Sequence, residues 1–250
     1  MRKIVLILLG LIIRVYAIGQ IVNIESRRIH TDTTGWAGSF GGNFNFSKNV
    51  DEIFSTSLFA HLQYKTSRNL YLIYGDYSFL KGAEKKLSDN AFFHLRYNRK
   101  LSGLVRWEVF TQLQNNKITK IEKRFLAGTG PRFKVSGADL VYIYIGVLAM
   151  FEHERELTDP AVSYNDIRNS DYISITFKPL SNLELISTTF YQPRMDKWSD
   201  YRILNQEVVQ LSITQKLSLT VNWDFLYDRF PVADIPRSTY SFATGLKFAF

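Results

Sequence analysis

The 250-residue sequence contains no cysteine, which excludes disulfide bonds, thiolate metal sites and cysteine nucleophiles together. Beyond residue 19, no stretch of about 18 apolar residues occurs, and this excludes a membrane-spanning helix in that part of the chain. Proline is scarce, with 6 residues. All of them fall in predicted connections or near a predicted strand end, where a missing N–H is tolerated: Pro131, Pro160, Pro179, Pro193, Pro231 and Pro236.

Acidic residues are fewer than basic ones, and the formal net charge is +8. Three of the positive charges, at Arg2, Lys3 and Arg14, lie in a segment predicted to be removed, and the remainder are scattered. Because no basic stripe or recognisable nucleic-acid motif is present, nucleic-acid binding is not predicted. Aromatic residues make up 15% of the chain, which is typical of a folded protein rather than a disordered one.

The first residues have the layout of a secretory signal peptide. Arg2 and Lys3 precede an unbroken apolar run over 4–13, and small residues follow at Ala17 and Gly19. This pattern predicts export, with cleavage between Gly19 and Gln20 and an alternative cut after Ala17. We therefore expect a cleaved leader over 1–19, a short periplasmic segment over 20–33, and the folded domain over 34–250.

Apolar and polar residues alternate through most of the chain after residue 34. In 217–228, for example, Leu219, Val221 and Trp223 share one strand face, and Thr220 and Asn222 share the other. This period of two indicates strands with one apolar face. Twelve strands are predicted: 34–46, 53–64, 70–80, 91–99, 104–114, 124–133, 140–152, 169–178, 183–192, 203–213, 217–228 and 238–250.

The predicted connections alternate in length. Those after the even-numbered strands are short, and those after the third, fifth, seventh, ninth and eleventh strands are longer and more charged: Lys81–Asn90, Asn115–Lys123, His153–Arg168, Pro193–Arg202 and Arg229–Arg237. Transmembrane barrels have this pattern of short periplasmic turns and longer outer loops. Only closed barrels and helices satisfy every backbone hydrogen bond in lipid. The predicted fold is therefore all-β, a single transmembrane antiparallel β-barrel of about 12 strands in a bacterial outer membrane.

The last strand ends on an aromatic residue preceded by alternate apolar residues. Barrels inserted by the outer-membrane assembly machinery typically end in this way, and we expect five residues to form the insertion signal: Tyr240, Phe242, Leu246, Phe248 and Phe250. The expected partners are this machinery and outer-membrane lipid. A soluble periplasmic barrel or sandwich is the alternative, but it leaves the aromatic terminus unexplained.

Three segments carry a resemblance to a known family: the start at 20–26, the glycine-containing segment 124–133, and the strand end 151–155. On these residues the chain resembles domain-of-unknown-function family 481 (DUF481), which includes proteins named salt-induced outer membrane protein. The resemblance implies an outer-membrane barrel and an association with salt or envelope stress. It transfers no catalytic or ligand residues.

Charged residues fall on strand faces opposite the aromatic ones. Arginine on a lipid face at mid-depth costs about 2–4 kcal/mol, so these side chains are expected to line the lumen together with two histidines: Arg96, Arg106, Glu108, Arg124, Arg132, His61 and His94. Two interpretations stay open. The side chains could form an internal network of Arg and Glu pairs, or a basic pore lining that favours anions.

Catalytic chemistry is not predicted. A lipid-acting barrel enzyme is the alternative, because Ser55 and Ser57 share a strand face with His61, but no serine lies in a recognisable nucleophile turn. His153 and the acids that follow it lack the two-histidine spacing of a zinc protease. No cofactor and no metal site are expected, and the leading function is a structural or small-solute channel role.

Overall fold

The computed structural model describes residues 34–48, 52–82, 85–138 and 140–250. Every regular element in these ranges is a β-strand, and no helix there is long and apolar enough to cross a membrane. The strands are β1 (Gly35–Lys48), β2 (Glu52–Lys65), β3 (Asn69–Gly82), β4 (Lys85–Lys100), β5 (Val105–Asn116), β6 (Ile121–Ala138), β7 (Val141–Gly146), β8 (Ala149–Glu156), β9 (Ser163–Asn169), β10 (Asp171–Leu180), β11 (Leu183–Pro193), β12 (Tyr201–Ser212), β13 (Leu217–Asp228) and β14 (Ser238–Ala249).

The strands form one closed antiparallel sheet with twelve positions around the barrel. β7 and β8 both pair with β6, one above the other, and β9 and β10 continue each other on their far side. Pro131 of β6 explains the interruption between β7 and β8. Its carbonyl accepts the Val147 N–H at 3.0 Å, but it has no N–H to return. Pro131 thus lies inside a strand that extends to Ala138, not near a strand end as the sequence suggested.

The barrel closes between β1 and β14. Ser39–Gly42 pairs with Leu246–Ala249, and Gly38 and Phe250 exchange two backbone hydrogen bonds of 3.0 Å. β1 begins and β14 ends at the same end of the barrel, which we call the terminal end. The opposite end is called the loop end. The prediction of a single closed barrel of about 12 strands is confirmed.

Connections at the terminal end are short throughout, whereas only part of the loop end carries long loops. The longest are 157–162, 194–200 and 229–237. The predicted long loops Lys81–Asn90 and Asn115–Lys123 were wrong, because the flanking strands continue pairing almost to the turn, with Gly82 opposite Lys85. At the β5–β6 turn the Asn116 side chain accepts the N–H groups of Ile118 and Thr119 at 3.0 and 3.1 Å, which fixes a tight turn.

The apolar strand faces point outward and the polar faces point inward. Trp36, Phe44 and Phe242 are exposed, whereas Glu108, Arg132 and Thr188 are buried. Pairs of aromatic residues mark both ends of the outer surface: Trp36 and Tyr64 (centroids 4.9 Å apart) near the terminal end, and Tyr201 and Tyr227 (5.8 Å) near the loop end. Two aromatic girdles flanking an apolar band are typical of a transmembrane barrel.

Candidate functional site

Inside the barrel, a cluster of charges nearer the terminal end is centred on Glu108, which is fully buried. Arg132 Nη1 lies 3.3 Å from one carboxylate oxygen, and Arg96 Nη1 lies 3.7 Å from the other. The Tyr172 hydroxyl, from a strand three positions away around the barrel, donates to Glu108 Oε2 at 2.7 Å. We call these four residues the inner cluster.

His94 extends the inner cluster along the wall. Arg96 Nε donates to His94 Nε2 at 3.3 Å, and His94 Nδ1 lies 3.2 Å from Gln112 Oε1. The imidazole also stacks between Phe92 and Phe110. These neighbours hold His94 by packing and by amide and guanidinium contacts, and none of them is a serine that a general base could activate.

A second cluster lies nearer the loop end, and we call it the outer cluster. Glu152 is surrounded by three guanidinium groups: Arg124 at 3.0 Å, Arg168 at 2.7 Å and Arg202 at 2.6 Å. Glu154 also contacts Arg124 and Arg202. Since Arg202 lies three strands away from Glu152 around the barrel, this contact crosses part of the interior.

Further carboxylates surround the outer cluster at the loop end. Asp200 lies 3.1 Å from Arg168, and Asp228 lies 2.7 Å from Arg202. In the neighbouring loop, the hydrogen bond from Arg194 holds the pKa of the exposed Asp196 carboxyl below its usual value. The cluster thus contains more acids than the buried Glu108 site.

An apolar layer separates the two clusters. It consists of Phe110, Leu126, Leu148, Met150 and Tyr172, with Phe190 packed against them. Two glycines make room for its aromatic rings: a Cβ atom on Gly128 would collide with Phe110, and one on Gly146 would collide with Tyr172. The second collision would displace the ring whose hydroxyl binds Glu108, so Gly146 also positions the inner cluster.

A cavity of about 370 Å³ opens above the outer cluster at the loop end. Its cover is the loop 229–237, which we call the strap. Lys120, in the β5–β6 turn, binds this loop through Asp234 Oδ2 and the Ala233 carbonyl, both at 2.9 Å. β6 lies nearly opposite β13 and β14 around the barrel, and the strap therefore reaches across the mouth.

The structure places the sequence-predicted site residues as follows. Glu108, Arg96 and Arg132 meet in the inner cluster, and His94 extends it along the wall. Arg124 belongs to the outer cluster, and His61 is buried beside Tyr74. Arg106 is half-buried over the Tyr144 ring and is not brought into either cluster. Gly19 and Gln20 lie outside the described residues.

On the last strand, Tyr240, Phe242, Leu246 and Phe250 are exposed on the outer surface. Phe248 is half-buried and contacts Phe40 with ring centroids 5.3 Å apart. These positions are consistent with an outward-facing terminal strand, but they do not test its role in insertion.

Sequence reasoning missed the acidic half of the outer cluster and two of its arginines. Glu152 and Glu154 alternate with Phe151 and His153, so the period-two pattern could have assigned them to the lumen. Arg168 and Arg202 carried no such signal, because both fall in segments that the sequence reading assigned to connections, whereas the structure places Arg168 near the end of β9 and Arg202 at the start of β12. Within the part of the chain that is described, no group of three His, Asp or Glu side chains is arranged to hold a metal ion.

These features define a class, the transmembrane β-barrel with a charged interior. The model of the DUF481 family, proteins of unknown function, matches residues 31–250. The chain belongs to this family. No curated protein matches it significantly in sequence.

Solved structures share the fold at low sequence identity. The NanC porin matches with a TM-score of 0.53 at 10% identity, covering 85% of this chain and 98% of that one. The COG4313 outer membrane channel from Pseudomonas putida F1 matches with 0.53 at 10%, covering 88% and 97%. The translocator domain of autotransporter NalP from Neisseria meningitidis matches with 0.51 at 8%, covering 91% and 92%. At such identities the likeness establishes the barrel fold alone.

Proposed function

We propose that this protein is a narrow outer-membrane channel for small charged solutes. The observation that carries the proposal is the combination of a lipid-compatible wall with an interior whose charges surround a cavity at one mouth. An apolar band between aromatic girdles suits a bilayer, and a pore lined by charged side chains selects solutes by charge. The solved structures of similar fold, a porin and a channel among them, support the location and the role.

Contacts across the interior limit the size of the solute. The Tyr172–Glu108 hydrogen bond and the Arg202–Glu152 ion pair each join strands three positions apart. These contacts across the lumen make the passage narrower than the interior that a twelve-stranded barrel would otherwise enclose. Ions and small organic molecules therefore fit the proposed route better than oligomers do.

Of the two sequence interpretations of the lumen, the structure supports the network of Arg and Glu pairs. Arg96, Arg124 and Arg132 each have a carboxylate within 4 Å. The cavity itself is lined by six carboxylates and four arginines, so its formal charge is −2. We therefore infer a preference for cations at the loop-end mouth, which is the reverse of the basic lining considered from sequence.

A catalytic role is not part of the proposal. His94 contacts an amide and a guanidinium, and neither contact supplies the serine nucleophile that the lipid-acting alternative requires. Removal of residues 1–19, recognition of the Phe250 end by the assembly machinery, and an association with salt or envelope stress stay predictions.

Two measurements test the proposal. After cell breakage, the protein should sediment with the outer membrane and require detergent for release. Recovery in the soluble fraction would contradict the membrane location. In planar bilayers, the purified protein should give small, steady conductance with a reversal potential that indicates cation preference. Electrical silence would mean a closed scaffold and would overturn the channel role.

A further inference from the structure

The cavity under the strap has the dimensions of a ligand site. Its volume of about 370 Å³ lies within the range of about 300–1,000 Å³ that small-molecule sites occupy. Side chains from β6, β8, β9, β12 and β13 form its floor and walls, and the strap forms its cover. These strands belong to the barrel sheet, and the strap is held over them by the contacts of Lys120 with Asp234 and Ala233.

The floor of the cavity carries more negative than positive charge. Glu152, Glu154 and Asp228 contact arginines, but Glu156 forms no ion pair with any described residue. A positively charged group near Glu156 would balance a charge that the protein leaves uncompensated.

A second, independent feature of the same wall is the Thr119 side chain. Thr119 lines the cavity and is 8% exposed, and its hydroxyl oxygen is buried with no hydrogen-bond partner in the structure. A buried hydroxyl without a partner is costly. An N–H donor held in the cavity could satisfy it.

The cover of the cavity is chemically different from the floor. The strap contributes mainly apolar side chains, from Phe230, Pro231, Val232, Ile235 and Pro236. A ligand that matches both surfaces has a cationic group and an apolar body. A bare metal ion matches neither the cover nor the floor, because the described carboxylates are not grouped as metal ligands.

We propose that this cavity binds a small organic cation, with an alkyl diamine as the class that fits best. One ammonium group lies at Glu156 and Thr119, the second faces the remaining surplus of negative charge, and the methylene chain packs under the strap. The inference rests on the proposed function in treating the cavity as the outer entrance of the channel. Binding itself can be measured without transport.

The test uses three molecules of equal length that differ in charge. Isothermal titration calorimetry is run on the full-length protein in non-ionic detergent at low ionic strength, with diaminooctane, octanediol and suberate as probes and empty micelles as the blank. Diaminooctane is expected to bind, and to bind more weakly as salt is added. Octanediol and suberate are expected to give no heat above the blank. Equal binding of diaminooctane and octanediol would overturn the proposal.

Two variants locate the site. Glu156→Gln removes the uncompensated charge and is expected to weaken diamine binding by about tenfold, which is the low end for a lost charge pair near a protein surface. Glu122→Gln is the matched control, since Glu122 pairs with Arg155 and does not line the cavity; it should leave the affinity unchanged. Equal losses in the two variants would contradict the location.

Thr119→Val tests the second contact, because valine keeps the shape of threonine and removes the hydroxyl. Diamine affinity should fall in this variant, and unchanged affinity would exclude Thr119 from the site. Heat-modifiable migration on gels verifies that each variant is folded.

The binding site and the channel role can fail separately. Diamine binding in a protein without conductance rejects the channel role alone, whereas cation-selective conductance without diamine binding rejects the site alone.

Discussion

The inner and outer clusters contain the same kinds of side chain but differ in how their charges are balanced. In the inner cluster, Glu108 faces Arg96 and Arg132 in a setting where all three side chains are at most 4% exposed. In the outer cluster, each arginine contacts at least two carboxylates, and a cavity reaches the charges. Because each arginine has a second carboxylate, the outer cluster tolerates the loss of one carboxylate, and the cavity beside it admits a solute. The inner cluster is the more deeply buried of the two, and we interpret its ion pairs as mainly structural.

The largest expected effect comes from removing the central acid of each cluster. Glu108→Ala leaves two buried arginines beside a lost carboxylate and should destabilise the folded barrel by about 3–5 kcal/mol. Glu152→Ala should cost less, on the order of 1–2 kcal/mol, because Glu154, Asp200 and Asp228 remain near its three arginines. Urea unfolding in detergent or lipid vesicles, followed by tryptophan fluorescence, measures both.

Glu108→Gln serves as the control for shape, because it keeps the size and one acceptor oxygen of the side chain while it removes the charge and replaces the other oxygen by an NH2 donor. It should fall between the wild type and Glu108→Ala. If Glu152→Ala were the more destabilising variant, the assignment of a structural role to the inner cluster alone would be wrong.

A smaller effect is expected from two tyrosine hydroxyls, one buried beside the inner cluster and one lining the cavity at the loop end. Tyr172→Phe removes the buried 2.7 Å hydrogen bond to Glu108 and should cost about 1.5–3 kcal/mol, the range for hydrogen bonds to charged groups. Tyr164→Phe removes a hydroxyl from a side chain that is 42% exposed, where water can take its place, and should leave stability nearly unchanged. The same unfolding assay compares the two, and equal costs would contradict the difference between buried and rim sites.

Much of the fold could be predicted from alternation alone. All twelve predicted strands overlap observed ones, because a period of two with the apolar side outward is the pattern that lipid imposes on each strand. Strand ends were less predictable. β3 and β4 continue through Lys81 and Ser88, where polar residues interrupt the alternation but the two strands stay paired past a register shift between Leu80 and Lys81.

The candidate site was only partly predictable, for a geometric reason. Alternation assigns Arg96, Glu108 and Arg132 to the interior. It does not give the position of each residue along the barrel axis, nor the residue that it contacts across the lumen. Those depend on strand tilt and stagger. The contacts that define the clusters, such as Arg202 with Glu152, join residues far apart in sequence on strands that are not neighbours. No local pattern encodes such a pair.

The smallest effect concerns the strap, whose attachment at Lys120 lies in solvent rather than in the barrel interior. The hydrogen bond from the Lys120 ammonium lowers the pKa of Asp234 from its ordinary value. A lowered carboxyl pKa means that the contact is fully present above the ordinary Asp value of about 3.9 and is lost as the pH falls through the lowered one. The strap should therefore stay attached at neutral pH and loosen in acid.

A single cysteine reports this opening, since the chain has no other. In Thr119→Cys the thiol lies under the strap, and its modification by a neutral maleimide should be slow at pH 7 in low salt. Adding Asp234→Asn should speed modification at that pH, because the amide keeps the shape but loses the charge that holds Lys120. High salt should produce part of the same increase, since exposed ion pairs are screened. Salt and Asp234→Asn are compared at one pH because the reaction of maleimide with a thiol itself depends on pH. Identical rates with and without Asp234→Asn would mean that the Ala233 carbonyl contact and apolar packing hold the strap without the ion pair.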